Sequence, residues 1–175
     1  MVECSGGHPE WHLQMDFFEA FDKIKPQAVI AFHPCDHLSK AGGAHWKKEW
    51  KKKLQEEALE NIRKIFALPC DFIVLENPIG KISTAIRKPD QIIHPWQFGH
   101  PYTKETCLWL KGLPKLIPTN IVEPIANWVK PGNKRNRKFA DIQEGGQGKK
   151  HIRSKTFKGI AEAMANQWYN ILKIK

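Results

Sequence analysis

Two short apolar runs, separated by one helix-length amphipathic stretch, constrain this chain more than any other feature of it. Gln27 to Phe32 (QAVIAF) follows Pro26 and reads as a strand buried on both faces, as in a parallel sheet. His33-Pro34 stops it, because the proline offers no amide hydrogen to a ladder. Between Lys47 and Leu68 the spacing turns helical. Trp46, Trp50, Leu54, Ala58, Ile62 and Ile65 or Phe66 recur every three or four residues among lysines and glutamates, and Pro69 ends the helix. Asp71 to Leu75 (DFIVL) is then a second buried strand, stopped by Pro78. Strand, helix, strand is a βαβ unit, so the crossover is right-handed and the strands parallel.

Ligands of such sheets bind beyond the carboxyl ends of the strands. Both strands end in unusual residues there: HPCDH after the first, ENP after the second. A cysteine in a loop just past a strand can be exposed, and a nearby helix N-terminus or cation would favour its thiolate. With Glu76 at the same edge of the neighbouring strand, Cys35 and Glu76 make a nucleophile and an acid suited to an electron-poor ring. Spacing alone leaves open that Cys35 is an inert buried thiol and that Glu76 caps a helix or pairs with a lysine.

At 175 residues the chain has the length of one domain, and its 41 per cent apolar content and seven tryptophans suit a packed core. No apolar run approaches the ~20 residues of a membrane span. Met1 to Glu10 has neither a basic start nor an apolar h-region, so the cytoplasm is the expected compartment. The four cysteines contain no CxxC pair, which leaves no zinc-ribbon or redox signature, and reads as free thiols. The formal charge of +10 attracts polyanions, nucleic acid first among them, although it also serves solubility. Lys47, Lys48, Lys51, Lys52 and Lys53 open the long helix, where positive charge opposes the macrodipole unless a phosphate meets it. Nine basic residues lie between Lys130 and Lys155 against two acids, among Gly and Asn, which predicts a basic loop able to follow a phosphate backbone. Lys134, Arg135, Arg137 and Lys138 are its candidate DNA contacts.

Beyond Gly80, Ile92 to Phe98 reads as a strand interrupted by Pro95, and Thr103 to Leu110 as a short helix or strand closed by Gly112. Pro118 to Lys150 is mostly loop. A final helix is expected over about 158–172, with Ile160, Met164, Trp168 and Ile171 or Leu172 on one face.

A strand ending in Pro34-Cys35 and a later one ending in Glu76-Asn77 resemble the two catalytic motifs of the DNA cytosine-5 methyltransferases. The blocks ENPIGKIS, RKPDQIIHPWQFGHP, TKETCLWLKGLP and SKTFKGIAEAMANQW look like the compact, phage-encoded members of that family, and the likeness runs from about Gly6 to Tyr169. The resemblance implies that Cys35 attacks C6 of a flipped-out cytosine in DNA. Glu76 would hold N3 and the exocyclic amine, and C5 would take a methyl group from S-adenosylmethionine. It makes Pro34, Asn77 and Pro78 the substrate-binding residues that shape the two loops, and it places the protein in the cytoplasm of a bacterial host. The fold class it implies is α/β: a single domain with a Rossmann-like methyltransferase sheet, lacking part of its N-terminal cofactor-binding half. The family's strand, glycine-bearing turn and helix for the methionine moiety are expected ahead of Val2 to Gly7. Asp16 resembles the acid near the adenine, and Glu3 would stand in for the ribose acid. Three features depart from the pattern. His33 stands where a proline usually precedes Pro-Cys, Pro78 stands where Glu-Asn is usually followed by valine, and there is no Gln-x-Arg-x-Arg block.

Other readings compete. A catalytically silent nucleic-acid or nucleotide-binding protein on the same scaffold would carry the same residues. His33-x-Cys35-x-His37, with His45 nearby, offers zinc-type ligands, but Pro34 breaks the regular strand that would align them, so no metal is expected. Trp96, Phe98, Tyr102 and Trp109 either stack on bases or fill the core.

Overall fold

A computed structural model describes residues 12–40, 43, 46–127 and 156–173. Asp16 opens helix α1 (Phe17–Ile24) by accepting the backbone N–H groups of Phe18 and Glu19, the usual way a carboxylate satisfies a first turn. Strand β1 (Ala28–Phe32) follows, then helix α2 (Glu49–Ala67) and strand β2 (Phe72–Pro78). β1 and β2 pair in parallel, from Ala28 opposite Phe72 to Phe32 opposite Glu76, so the βαβ unit read from the sequence is present.

Helix α3 (Ile82–Ala85) and strand β3 (Gln91–Ile93) come next. After them Pro95–Gln97 form one 3-10 turn where the expected strand is broken. Strands β4 (Tyr102–Thr103), β5 (Thr106–Lys111) and β6 (Ala126–Asn127) lead to helix α4 (Lys158–Lys173). The main sheet has the order β1-β2-β5-β3, with β5 antiparallel to both neighbours, and β4 pairs with β6 in a separate two-stranded ribbon. The fold is therefore mixed α/β on an open, mixed four-stranded sheet. The stretch Thr103 to Leu110, open between helix and strand in the sequence, is strand from Thr106 onward. Gly112 ends it at φ +72, and a Cβ there would lie 2.3 Å from the Asp71 carbonyl oxygen.

Alternation along β2 and β5 divides the core into two layers. Ile73, Leu75, Cys107 and Trp109 meet Phe21 of α1 and Ala58, Leu59, Ile62 and Ile65 of α2 on one face. Val74, Ile93 and Leu108 meet Ile160, Ala163, Met164 and Trp168 of α4 on the other. Phe98 and Trp109 belong to these cores, whereas Trp96 and Tyr102 are half-buried.

Two sequence expectations are corrected. β1 is not buried on both faces: it is an edge strand among the described residues, and Ile30 and Phe32 are 45% and 51% exposed because α4 covers β2, β5 and β3 but not β1. The inward stripe of α2 is also rotated. Trp50 is exposed, and Lys51 and Gln55 are buried in its place. Residues 130–155, where a basic loop was expected, with Lys134, Arg135, Arg137 and Lys138, lie outside the described residues, as does Glu3. Among the described residues no helix is long and apolar enough to cross a membrane.

Trp168 is 2% exposed, and its indole N–H donates to the Pro114 carbonyl at 3.0 Å, so it pins α4 to the sheet. Trp168→Ala is expected to cost about 3–5 kcal/mol in urea unfolding, whereas Tyr169→Ala, at a 54% exposed position, should stay within about 0.5 kcal/mol of the parent.

Candidate functional site at the carboxyl rim of the sheet

The carboxyl end of β1 runs into His33, Pro34 and Cys35, and six contacts fix that loop. The Cys35 carbonyl accepts the N–H groups of Leu38 and Ser39, closing a tight turn around Leu38, which is wholly buried. The side-chain amide of Asn77 donates to the His33 carbonyl at 2.7 Å. The Lys51 ammonium donates to the Asp36 carbonyl at 2.7 Å and meets Nδ1 of His37 at 2.9 Å. Gln55 donates to the His37 carbonyl at 2.9 Å. Behind the loop, Lys40 N–H donates to the Ile79 carbonyl and Lys81 N–H to the Leu38 carbonyl. Gly80 makes this approach possible, since a Cβ there would sit 2.0 Å from the Leu38 carbonyl oxygen.

Lys51 and Gln55 were not singled out as site residues in the sequence. Their signal was phase: positions 51, 55, 58, 62 and 65 follow one helical face, so a lysine and a glutamine stood in line with the core. The lysine run is thus split. Lys51 is an internal clamp, and its neighbours Lys47, Lys48, Lys52 and Lys53 are exposed.

Glu76 lies within β2 rather than beyond it. It stands between Phe32 on β1 and Leu108 on β5, on the face that α4 covers only in part. The neighbouring Asn77 faces the α2 side and is 1% exposed; its Oδ1 has no donor among the described residues. Glu76 likewise has no hydrogen-bond partner among them. Burial raises its carboxyl above the ordinary range, and the Lys104 ammonium opposes that shift. Pro78 ends β2 opposite Thr106, which brings the β4–β5 turn, carrying Lys104 and Glu105, against the carboxyl end of β2.

Cys35 is half-buried, whereas Cys70 and Cys107 are buried. Burial pushes the Cys35 thiol up, the charges of Asp36 and Glu76 add to this, and Lys104 works the other way. A cation that favours the thiolate is thus present, but desolvation outweighs it. Cys70 donates to the Gln27 carbonyl at 3.1 Å, as a structural thiol does. The Cys107 thiol is pushed up to about 12, chiefly by burial and then by Glu105 and Glu76. Burial also lowers the pKa of His94, at the end of β3, against the pull of Glu105, and its Nδ1 has no partner among the described residues.

The structure thus brings Pro34, Cys35, Glu76, Asn77 and Pro78 to one rim and leaves Asp16 elsewhere, capping α1. Asp16 is exposed, and its carboxylate is used as the cap of α1. Among the described residues, no three His, Cys, Asp or Glu side chains gather as a metal site. A half-buried thiol at the same rim as a carboxyl whose pKa is raised by burial can add to an activated double bond and protonate the product. Compared with known protein families, with curated proteins and with solved structures, the chain matches none.

Because burial raises the Glu76 carboxyl, ionising it costs more in the folded state than in the unfolded one. Its contribution to stability is complete below the ordinary carboxyl range and is lost as pH rises through the raised value. Glu76→Gln should therefore raise the melting temperature at pH 8 and leave it unchanged near pH 4; calorimetry across that range reads the difference.

Proposed function

We propose that this protein is a DNA cytosine-5 methyltransferase-like protein, with Cys35 as the nucleophile and Glu76 as the acid on the base. One observation carries the reading: a thiol and a carboxyl with raised pKa stand at the carboxyl ends of two directly paired parallel strands. In the step this supports, Cys35 first gives its thiol proton to bulk water, its sulfur then bonds to C6 of cytosine, and the C5–C6 π pair moves into the ring. Glu76 gives its proton to N3. C5 becomes nucleophilic without a metal ion. Phe32, half exposed beside Glu76, supplies an apolar wall for the ring. Pro34, Asn77 and Pro78 set the loops that hold the pair, Asn77 through its bond to the His33 carbonyl. The scaffold in this reading is a Rossmann-like sheet. The methyl donor in this reading is S-adenosylmethionine. DNA would be held by the basic residues Lys134, Arg135, Arg137 and Lys138, in the cytoplasm of a bacterial host and from a phage gene.

A second reading rests on the thiol. Since burial disfavours the Cys35 thiolate in the free protein, the same rim would serve a silent nucleic-acid or nucleotide-binding protein that performs no addition.

The two readings separate on an assay that needs no cofactor. Reversible addition at C6 exposes C5 to solvent protons, so DNA bearing [5-3H]cytosine should release tritium to water. Cys35→Ala is expected to abolish release. Glu76→Gln should slow it about 100-fold, the cost of losing one preorganised donor at ~3 kcal/mol. On 5-fluorocytosine DNA with S-adenosylmethionine, the Cys35 adduct should survive denaturation. Tight DNA binding with no tritium release would leave the silent binder standing.

DNA affinity should fall steeply with salt, with a logarithmic slope of about −0.9 for each phosphate neutralised on duplex. Changing Lys134, Arg135, Arg137 and Lys138 together to Ala should flatten that slope. An unchanged slope would move the DNA surface to another part of the chain.

A further inference from the structure

Lys47, Lys48, Lys52 and Lys53 stay exposed around the first turns of α2, and the Trp50 indole is 55% exposed among them. From Lys48 to Lys53 the helix advances only about 8 Å. Lys53 follows Trp50 by three residues, so the two share one side of the helix. Lys52 is paired with Glu49, but Lys47, Lys48 and Lys53 have no ion pair among the described residues. Further along, Glu56 and Glu60 are taken by Arg63. Trp46, just before the helix, ties this end of α2 to the rim. The Lys81 ammonium stands 5.3 Å from its ring centroid, and the Lys81 N–H donates to the Leu38 carbonyl. None of this serves α2 itself. Positive charge in a first turn opposes the helix dipole, and the inward stripe runs through Lys51 and Gln55 instead of Trp50.

We propose that this face of α2 is a contact surface for single-stranded DNA, with Lys47, Lys48 and Lys53 on backbone phosphates and Trp50 stacked on an unpaired base. The inference rests on the reading of the protein as DNA-binding and does not require methyl transfer. Position supports it. Lys51 and Gln55, from the same turns as Trp50, donate to the Asp36 and His37 carbonyl groups at 2.7 and 2.9 Å. A strand lying along the exposed lysines therefore passes beside the Cys35 loop.

Lysines around a tryptophan also suit an anionic lipid surface. The rest of the helix counts against that partner. Glu57 and Glu60 follow Lys53 by four and seven residues on the same side and are exposed, so a flat anionic sheet would meet them as well. A single strand is narrow enough to follow the lysines alone.

The test is fluorescence anisotropy of labelled oligothymidylate with the full chain across a salt series. Changing Lys47, Lys48 and Lys53 together to Ala should flatten the logarithmic salt slope by about 2, near −0.7 for each of three phosphates on a single strand. Changing Lys23, Lys64 and Lys115 together to Ala removes the same charge from exposed sites elsewhere and should keep the parent slope. Trp50→Ala should weaken binding about tenfold, and Trp50→Phe should recover part of the loss. Equal slopes for the two triple variants overturn the proposal, since the lysines then act only through net charge. Parent-strength binding by Trp50→Ala overturns it too. Sedimentation with phosphatidylserine vesicles that Trp50→Ala abolishes, with oligothymidylate binding unchanged, overturns it in favour of a lipid surface. If the parent binds and only the variant at Lys134, Arg135, Arg137 and Lys138 is weakened, this inference falls alone. If the parent binds no DNA, single-stranded or duplex, the DNA reading falls with it.

Discussion

The whole rim depends on how the carbonyl groups of residues 33–38 are satisfied. A loop that leaves a strand at a proline cannot continue the ladder, and a buried carbonyl without a donor costs about 1–3 kcal/mol. Here the donors come from other elements: Asn77 on β2 to His33, Lys51 on α2 to Asp36 and Gln55 on α2 to His37. Each bond orders the loop and also anchors a core element to it. Leu38, wholly buried, gives the loop a hydrophobic root between them. The cysteine is thus held by the same contacts that let α2 seat on the sheet.

That arrangement explains an otherwise odd use of residues. A lysine and a glutamine facing the core would be a penalty on an ordinary amphipathic helix. On α2 they take the place that Trp50 and Leu54 were expected to fill, and Trp50 is left exposed. The unpartnered Oδ1 of Asn77 fits the same account, because the amide is turned so that its nitrogen serves the His33 carbonyl.

Much of this was legible in the sequence, and the failures have physical causes. The βαβ unit was, because apolar runs bounded by prolines and one helical period admit few alternatives. Cys35 and Glu76 could be placed at one edge from that unit alone. The exposed face of β1 could not be foreseen, since an apolar run reads the same whether one side or both are covered, and coverage is decided by α4, far along the chain. The direction of β5 was equally hidden: periodicity marks a strand but not which way it runs. The arrival of the β4–β5 turn at the rim was missed for that reason, as it follows from the antiparallel register of β5 with β2. The raised thiol was missed because desolvation is a property of the assembled rim and not of the loop sequence.

The reversed direction of β5 has a consequence for how such a chain tolerates insertions and deletions. β1, β2 and β3 reach the rim with their carboxyl ends, but β5 arrives with its amino end, so the connection preceding it is part of the rim. Adding or removing a residue between Tyr102 and Thr106 would shift Lys104 along the rim or break the pairing of Thr106 with Pro78. The stretch after Gly112 is tied through Pro114, which accepts from Trp168, through Leu116, whose backbone exchanges hydrogen bonds with Gln91, and through Ile117, whose backbone exchanges them with Gln167. Length variation among homologous chains should therefore be absent from the few residues that lead into β5.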